Sequence, residues 1–189
     1  LKANQVLIPL EKLYRRYTGE SLAVKLSDFA DVSERIQYLV TQVEEITKID
    51  NFGAYLTAML EIDAFFMNED RHTNNIAVIY NEKTQKYELS PFFDQGLCMF
   101  ADINQDYPID QSLEYCLEKI EAKPFSSDFD IQLDAAEELY GIQIGFQFTF
   151  KDIQIYLQKN SENYPREVIR RVEQLLRGQM RKYGYLMKK

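Results

Sequence analysis

The polar run Asn68-Glu69-Asp70-Arg71-His72-Thr73-Asn74-Asn75 holds the single histidine of the chain, and Asp94 follows in Phe92-Phe93-Asp94-Gln95-Gly96. These two short segments contain a proton acceptor and two oxygen ligands for a hard divalent cation. Asp70 and Asn75 are five positions apart. That is the interval at which phosphoryl-transfer loops separate the aspartate that orients an attacking hydroxyl from the asparagine that ligates Mg²⁺. Asp94 is then placed to supply a second, carboxylate ligand. Mg²⁺ prefers few protein ligands and takes the rest from phosphate and water, so Asn75 and Asp94 would suffice. Singly, each of these residues is an ordinary turn former; the conjunction is what carries the chemistry.

His72 has two readings: it belongs to the catalytic shell, steadying Asp70 or accepting a proton, or it pins the loop structurally. As the sole histidine it excludes an HExxH zinc site and any multi-histidine metal cage. Asp63, a carboxylate within an apolar stretch, either reaches solvent or is buried and bonded to the loop, because an unpaired buried carboxylate is costly. Arg71 is available to pair with Asp63 or with a phosphate. Asp102 to Asp106 matches the first half of an EF-hand loop, but Tyr107 stands where the turn glycine belongs and Leu113 where the bidentate Glu belongs, which excludes that Ca²⁺ site.

The elements that must position these residues are mostly helical. Val6 to Leu10 reads as a short strand, followed by a brief helix through Tyr14 that stops at Thr18-Gly19. A helix starts near Asp31, where Asp31 and Glu34 form a capping-box variant, with Ile36, Leu39, Val40, Val43 and Ile46 on its core face. Asp50 is expected to cap the next helix, which carries Phe52, Tyr55, Leu56, Met59, Leu60, Ile62, Phe65 and Phe66. That helix is apolar around most of its circumference and should be the buried centre; it delivers the chain to Asn68. Ile76 to Tyr80 and Tyr87 to Leu89 read as a β-hairpin that returns Asp94 to Asn75. Beyond Pro108 the sequence predicts helices from about Ile109 to Glu121, from about Asp128 to Tyr140, after Thr149, and from Pro165 to the end. Arg166, Arg170, Arg177 and Arg181 fall on one side of that last helix and read as a solvated face.

Composition sets outer bounds. The 189 residues fit one domain, and 46% hydrophobic with 28% charged residues is an ordinary globular profile. A net charge of −8 disfavours a direct nucleic-acid partner. Cys98 and Cys116 form no CxxC pair, which points to a reducing, cytoplasmic setting. No apolar run is long enough to span a bilayer and no signal-peptide pattern is present, so no membrane association is expected.

The Asp70-Arg71-His72-Thr73-Asn74-Asn75 loop followed by Phe93-Asp94 resembles the HipA family of bacterial serine/threonine kinases, whose fold is similar to that of the phosphatidylinositol 3/4-kinases with their Asp-Arg-His-x-x-Asn loop. The matching core runs from about Asp63 to Gly96. The resemblance implies a mainly α fold with a small β-hairpin, that of a protein-kinase-like C-terminal lobe spanning residues 1–189. Residues 1–12 would form the hinge. It implies Asp70 as catalytic base, Asn75 and Asp94 as ligands of Mg²⁺ and the bound nucleotide, and ATP and Mg²⁺ as cofactors; His72, beside Asp70 in the loop, is a candidate catalytic residue with both its readings open. A protein substrate and an antitoxin-like partner are its implied partners. Phe-Asp-Gln-Gly departs from the Asp-Phe-Gly order, a change tolerated in HipA-like proteins. No glycine-rich loop and no strand with a suitable Lys precede Asp70, and the chain opens on Leu1; an N-terminal, ATP-anchoring lobe is therefore expected in a longer protein. A small-molecule or lipid kinase, or a non-enzymatic pseudokinase-like binding module, are the alternatives.

Overall fold

A helix with almost no polar face cannot lie on a surface, and Phe52–Phe66 is enclosed by the rest of the chain. The computed structural model describes residues 1–188. In chain order the elements are β1 (Gln5–Pro9), α1 (Leu10–Thr18), α2 (Leu22–Ser27), α3 (Val32–Thr47), α4 (Phe52–Phe66), β2 (Ala77–Asn81), β3 (Lys86–Leu89), α5 (Leu113–Lys119), α6 (Phe129–Tyr140), α7 (Phe150–Lys159) and α8 (Arg166–Lys182), with a 3-10 turn at Gly184–Leu186. The fold is thus mainly α with a small antiparallel sheet. No described helix is long and apolar enough to cross a membrane.

Helix α4 packs against α3, α6 and α8, and Phe52, Leu56, Leu60, Ala64 and Phe65 lose essentially all exposure. Its contact with α6 is close because position 53 has no side chain: a Cβ on Gly53 would lie 2.4 Å from the Tyr140 ring. The carbonyls of Ala64 and Phe65, left without partners at the helix end, accept bonds from the Gln179 amide of α8 at 2.8 and 3.2 Å. Glu61 turns its carboxylate to the backbone N–H groups of Gln143 and Ile144 at 2.7 and 2.6 Å, fixing the connection that follows α6. Burial raises the Glu61 carboxyl above its usual range against those two bonds.

The expected hairpin is present, with Val78 opposite Leu89 and Asn81 opposite Lys86. It is part of something larger, because β1 pairs antiparallel with β2, Leu7 opposite Ile79 and Pro9 opposite Ala77. Side chains alternate across a sheet. Ile8, Val78 and Leu89 face the main core, which leaves Leu7 and Ile79 on the opposite face.

Several boundaries differ from expectation. Ser21 caps a helix not anticipated from the sequence, α2, by accepting from the Val24 N–H. At α3 the cap is one-sided: Asp31 accepts from the Glu34 N–H at 3.0 Å, with no return bond from the Glu34 side chain among the described residues. Asp50 does not cap α4. Asn51 occupies that position without a side-chain bond, and Glu44 reaches across from α3 to accept from the Phe52 N–H at 3.0 Å. Helix α5 is shorter than predicted because Ser112, not the region of Ile109, is its cap. Helices α6 and α7 begin where expected, after Asp128 and Thr149; both side chains prove to be caps, the latter in a full capping box, and Pro165 immediately precedes α8. Arg166, Arg170, Arg177 and Arg181 are exposed, as expected. Arg171 is buried and donates to the carbonyls of Tyr107, Pro108 and Gln111, holding a connecting loop against α8. Asp102 accepts from the N–H groups of Asn104 and Gln105, a local turn rather than a cation loop.

Candidate active site

Met67, in the left-handed region at φ 54°, closes α4 and turns the chain into the polar loop. What fixes the loop is a buried ion pair. Asp63 has no solvent exposure, and it receives Arg71 Nε at 2.6 Å, Arg71 Nη2 at 3.0 Å and the Asn68 amide at 2.8 Å. Burial raises the Asp63 carboxyl, while the bidentate Arg71 fork and the Asn68 amide oppose it. Arg71, itself fully buried, spends its remaining nitrogen, Nη1, on two carbonyls: Asn75 O at 2.6 Å and Phe93 O at 3.0 Å. One guanidinium therefore joins the end of α4, the last residue of the loop and the residue preceding Asp94. Arg71 is thus directed inward, to Asp63, and not toward a ligand.

Asp70 is part-exposed, with 29% of its side chain in contact with solvent. The Asn75 amide nitrogen donates to Asp70 O at 2.9 Å and to Asp70 Oδ2 at 3.3 Å. That orientation leaves Asn75 Oδ1 as an acceptor with no donor among the described residues. Asp94, exposed and at φ 56°, makes no side-chain hydrogen bond or ion pair among the described residues; Asp is among the few residues that tolerate that backbone region. An amide oxygen and a free carboxylate on adjoining backbone segments are the donor types that Mg²⁺ accepts. No group of three or more His, Cys, Asp or Glu among the described residues has metal-binding geometry, so a cation here would rely on phosphate and water for the rest of its shell.

The other side chains around Asp70 are cationic or polar. His72 Nε2 lies 3.7 Å from Asp70 Oδ1, beyond hydrogen-bond length. Its Nδ1 is buried without a partner among the described residues, so the side chain does not pin the loop through a carbonyl there; the loop is closed instead by backbone bonds from His72 N to Asp70 O and from Asn75 N to His72 O. Lys123 Nζ is 3.8 Å from the same Asp70 oxygen. Sequence reasoning missed Lys123, and no local signal could have found it, because the loop between α5 and α6 brings it in from far along the chain. Glu69 accepts from the Tyr107 hydroxyl; burial raises its carboxyl, with Tyr107 opposing. Lys119 pairs with Asp106 at 2.9 Å beside the same rim.

The loop is also tied to the start of the chain. Leu10 N donates to Ile76 O at 2.8 Å, and the Thr73 hydroxyl donates to Glu11 Oε2 at 3.1 Å. Above the Leu7 and Ile79 face, an open cavity of about 520 Å³ is lined by Leu1, Lys2, Gln5, Leu7, Ile79, Pro91 and Phe93, ending at the residue before Asp94. A second cavity of about 400 Å³ runs from Gln95 and Gly96 along α7 and α8. Burial pushes the Cys98 thiol on its wall up to about 12, so this cysteine is a poor nucleophile. Cavities of about 610 Å³ elsewhere, such as that between Ser112 and Gln174, contain none of the convergent loop residues.

Comparison with family models, with curated proteins and with solved structures finds no match to this chain.

Proposed function

We propose that the chain is the C-terminal catalytic lobe of an ATP- and Mg²⁺-dependent phosphotransferase of the HipA-like serine/threonine kinase type, acting on a protein hydroxyl in the cytoplasm. The observation that carries this reading is the Arg71 guanidinium, which ties Asp63, Asn75 O and Phe93 O into one assembly. It supports a common site for the Asp70–Asn75 loop and Asp94, the requirement of the chemistry. Asp70 accepts the proton of the attacking hydroxyl; Asn75 and Asp94 would hold Mg²⁺, which supplies charge neutralisation on the phosphates when bound. His72 flanks Asp70 in the catalytic shell. The apolar cavity over Leu7, Ile79 and Phe93 suits the flat face of a purine and adjoins the strand read as the hinge. An N-terminal lobe would close over that cavity and grip the phosphates, and an antitoxin-like protein is the regulatory partner this type implies.

The test is transfer of radiolabelled γ-phosphate to a protein acceptor by the full-length protein, with Asp70→Asn and Asp94→Ala beside it. Acid-stable label on serine or threonine is expected from the parent and not from either variant. Label transferred equally by Asp70→Asn would refute the assignment.

A further inference from the structure

Resting on that reading, we propose that Lys123 is a further catalytic residue, contacting the transferred phosphoryl group from a segment outside the Asp70–Asn75 loop. Its ammonium lies 3.8 Å from Asp70 Oδ1 with 50% of its side chain exposed. An exposed lysine–carboxylate pair contributes little to folding, and the separation is longer than a hydrogen bond, so the fold gains little from holding it there.

The neighbouring chain is nonetheless anchored on both sides of Lys123. Ala122 and Phe125 are buried, at 3% and 0% exposure. Ala122 N donates to Ser127 O at 2.8 Å, and Arg35 Nη1 donates to Phe125 O at 2.7 Å while its Nε holds Phe29 O. A fixed backbone therefore carries a flexible cation to the candidate base, opposite the Asn75 amide. The loop itself carries no lysine: Arg71 is committed to Asp63, and Thr73 and Asn74 are neutral.

The role follows from charge. In the transfer, the acceptor oxygen gives an electron pair to the γ-phosphorus, its proton passes to Asp70, and the bond to the β-phosphate oxygen breaks, that oxygen leaving with the electron pair as part of ADP. Negative charge spreads over the equatorial oxygens of the moving group. Lys123, beside the base that receives the proton, is placed to neutralise it there, and its four-carbon stem lets the ammonium swing from Asp70 to a phosphoryl oxygen.

The experiment uses the full-length protein and its Lys123→Gln and Lys123→Arg variants, with calorimetry of ADP and of the β,γ-imido analogue of ATP, and with kcat and KM for ATP. Lys123→Gln is expected to lower kcat by about 10- to 100-fold. It should weaken the imido analogue by about tenfold while changing ADP affinity less than about twofold, because only the analogue carries the γ-phosphoryl group. Lys123→Arg should recover most of both losses. An equal loss for ADP and the analogue, or an unchanged kcat, overturns the role of Lys123. If Asp70→Asn is inactive while Lys123→Gln is fully active, only the Lys123 assignment fails. If Asp70→Asn is also active, the kinase reading fails with it.

Discussion

At the scale of single residues, the loop separates side chains that hold structure from those left free for chemistry. Asp70 is part-exposed and, among the described residues, hydrogen-bonded by its side chain only to Asn75, so Asp70→Asn should alter stability by less than about 1 kcal/mol. On the proposed kinase reading, the same change in the full-length protein should lower turnover by about 10²- to 10⁴-fold, the usual worth of a positioned base. Asp94→Ala should instead weaken binding of Mg²⁺ with ATP, measured by calorimetry. Asp63 is the opposite case. Asp63→Asn would leave the Arg71 guanidinium buried without a counter-charge, a loss of about 3–5 kcal/mol, read as a shifted urea midpoint at constant slope. If the two Asp→Asn variants unfold at the same denaturant concentration, the division between structural and chemical aspartates is mistaken.

At the scale of elements, the site depends on where α4 ends, and α4 is located by contacts along its whole length. Its approach to α6 is tightest at Gly53. Gly53→Ala gains about 1 kcal/mol of helix propensity, yet its Cβ displaces the Tyr140 ring, and overpacking costs about 1–3 kcal/mol. The expected result is net destabilisation in the parent protein and net stabilisation in a Tyr140→Ala background. A double-mutant cycle by thermal unfolding checks the change of sign; the same sign in both backgrounds would remove close packing as the reason for the glycine. At the other end of α4, the Gln179 amide on two carbonyls and Met67 at positive φ determine the direction in which Asn68 and Asp70 leave the helix.

At the scale of the whole molecule, charge and completeness matter. Burial raises the carboxyls of Glu61, Glu69 and Glu137 above their usual 4.5. The folded state then holds these protons more tightly than the unfolded chain. Their stabilising contribution is full below the unfolded value and is lost as pH rises through the raised values. Glu11 and Asp152, lowered by their hydrogen bonds, act with the opposite sign, while the net charge of −8 adds self-repulsion at higher pH. The thermal midpoint should therefore fall as pH rises from 4.5 through the raised carboxyls, and Glu69→Gln should lessen the fall; a fall unchanged in Glu69→Gln would contradict the role of Glu69. On the proposed kinase reading, these residues would contribute the base and the metal ligands, whereas phosphoryl transfer also needs a phosphate cradle and positioning. On that reading the chain by itself should bind ATP weakly and transfer phosphate poorly, and a longer protein that supplies the phosphate cradle should be competent. Full transfer by the isolated chain would show that no further lobe is required.

The sequence alone determined what depends on neighbours a few positions apart. The helical spacing of apolar residues in α3, the apolar circumference of α4, the helix starts near Asp128 and Thr149 and the apolar runs on either side of Asn81–Lys86 are local properties, and the elements follow from them. The order of helix, polar loop, hairpin and Phe-Asp was likewise visible, as was the choice that Asp63 must either reach solvent or find a partner. Only the tertiary structure decided that the partner is Arg71, that β1 joins the hairpin, that Glu44 rather than Asp50 serves the start of α4, and that Lys123 arrives beside Asp70. The physical reason is common to all four. Which group meets a buried charge, an orphan N–H, a strand edge or a part-exposed carboxylate is decided by how the whole chain packs, and local residue spacing does not encode that packing.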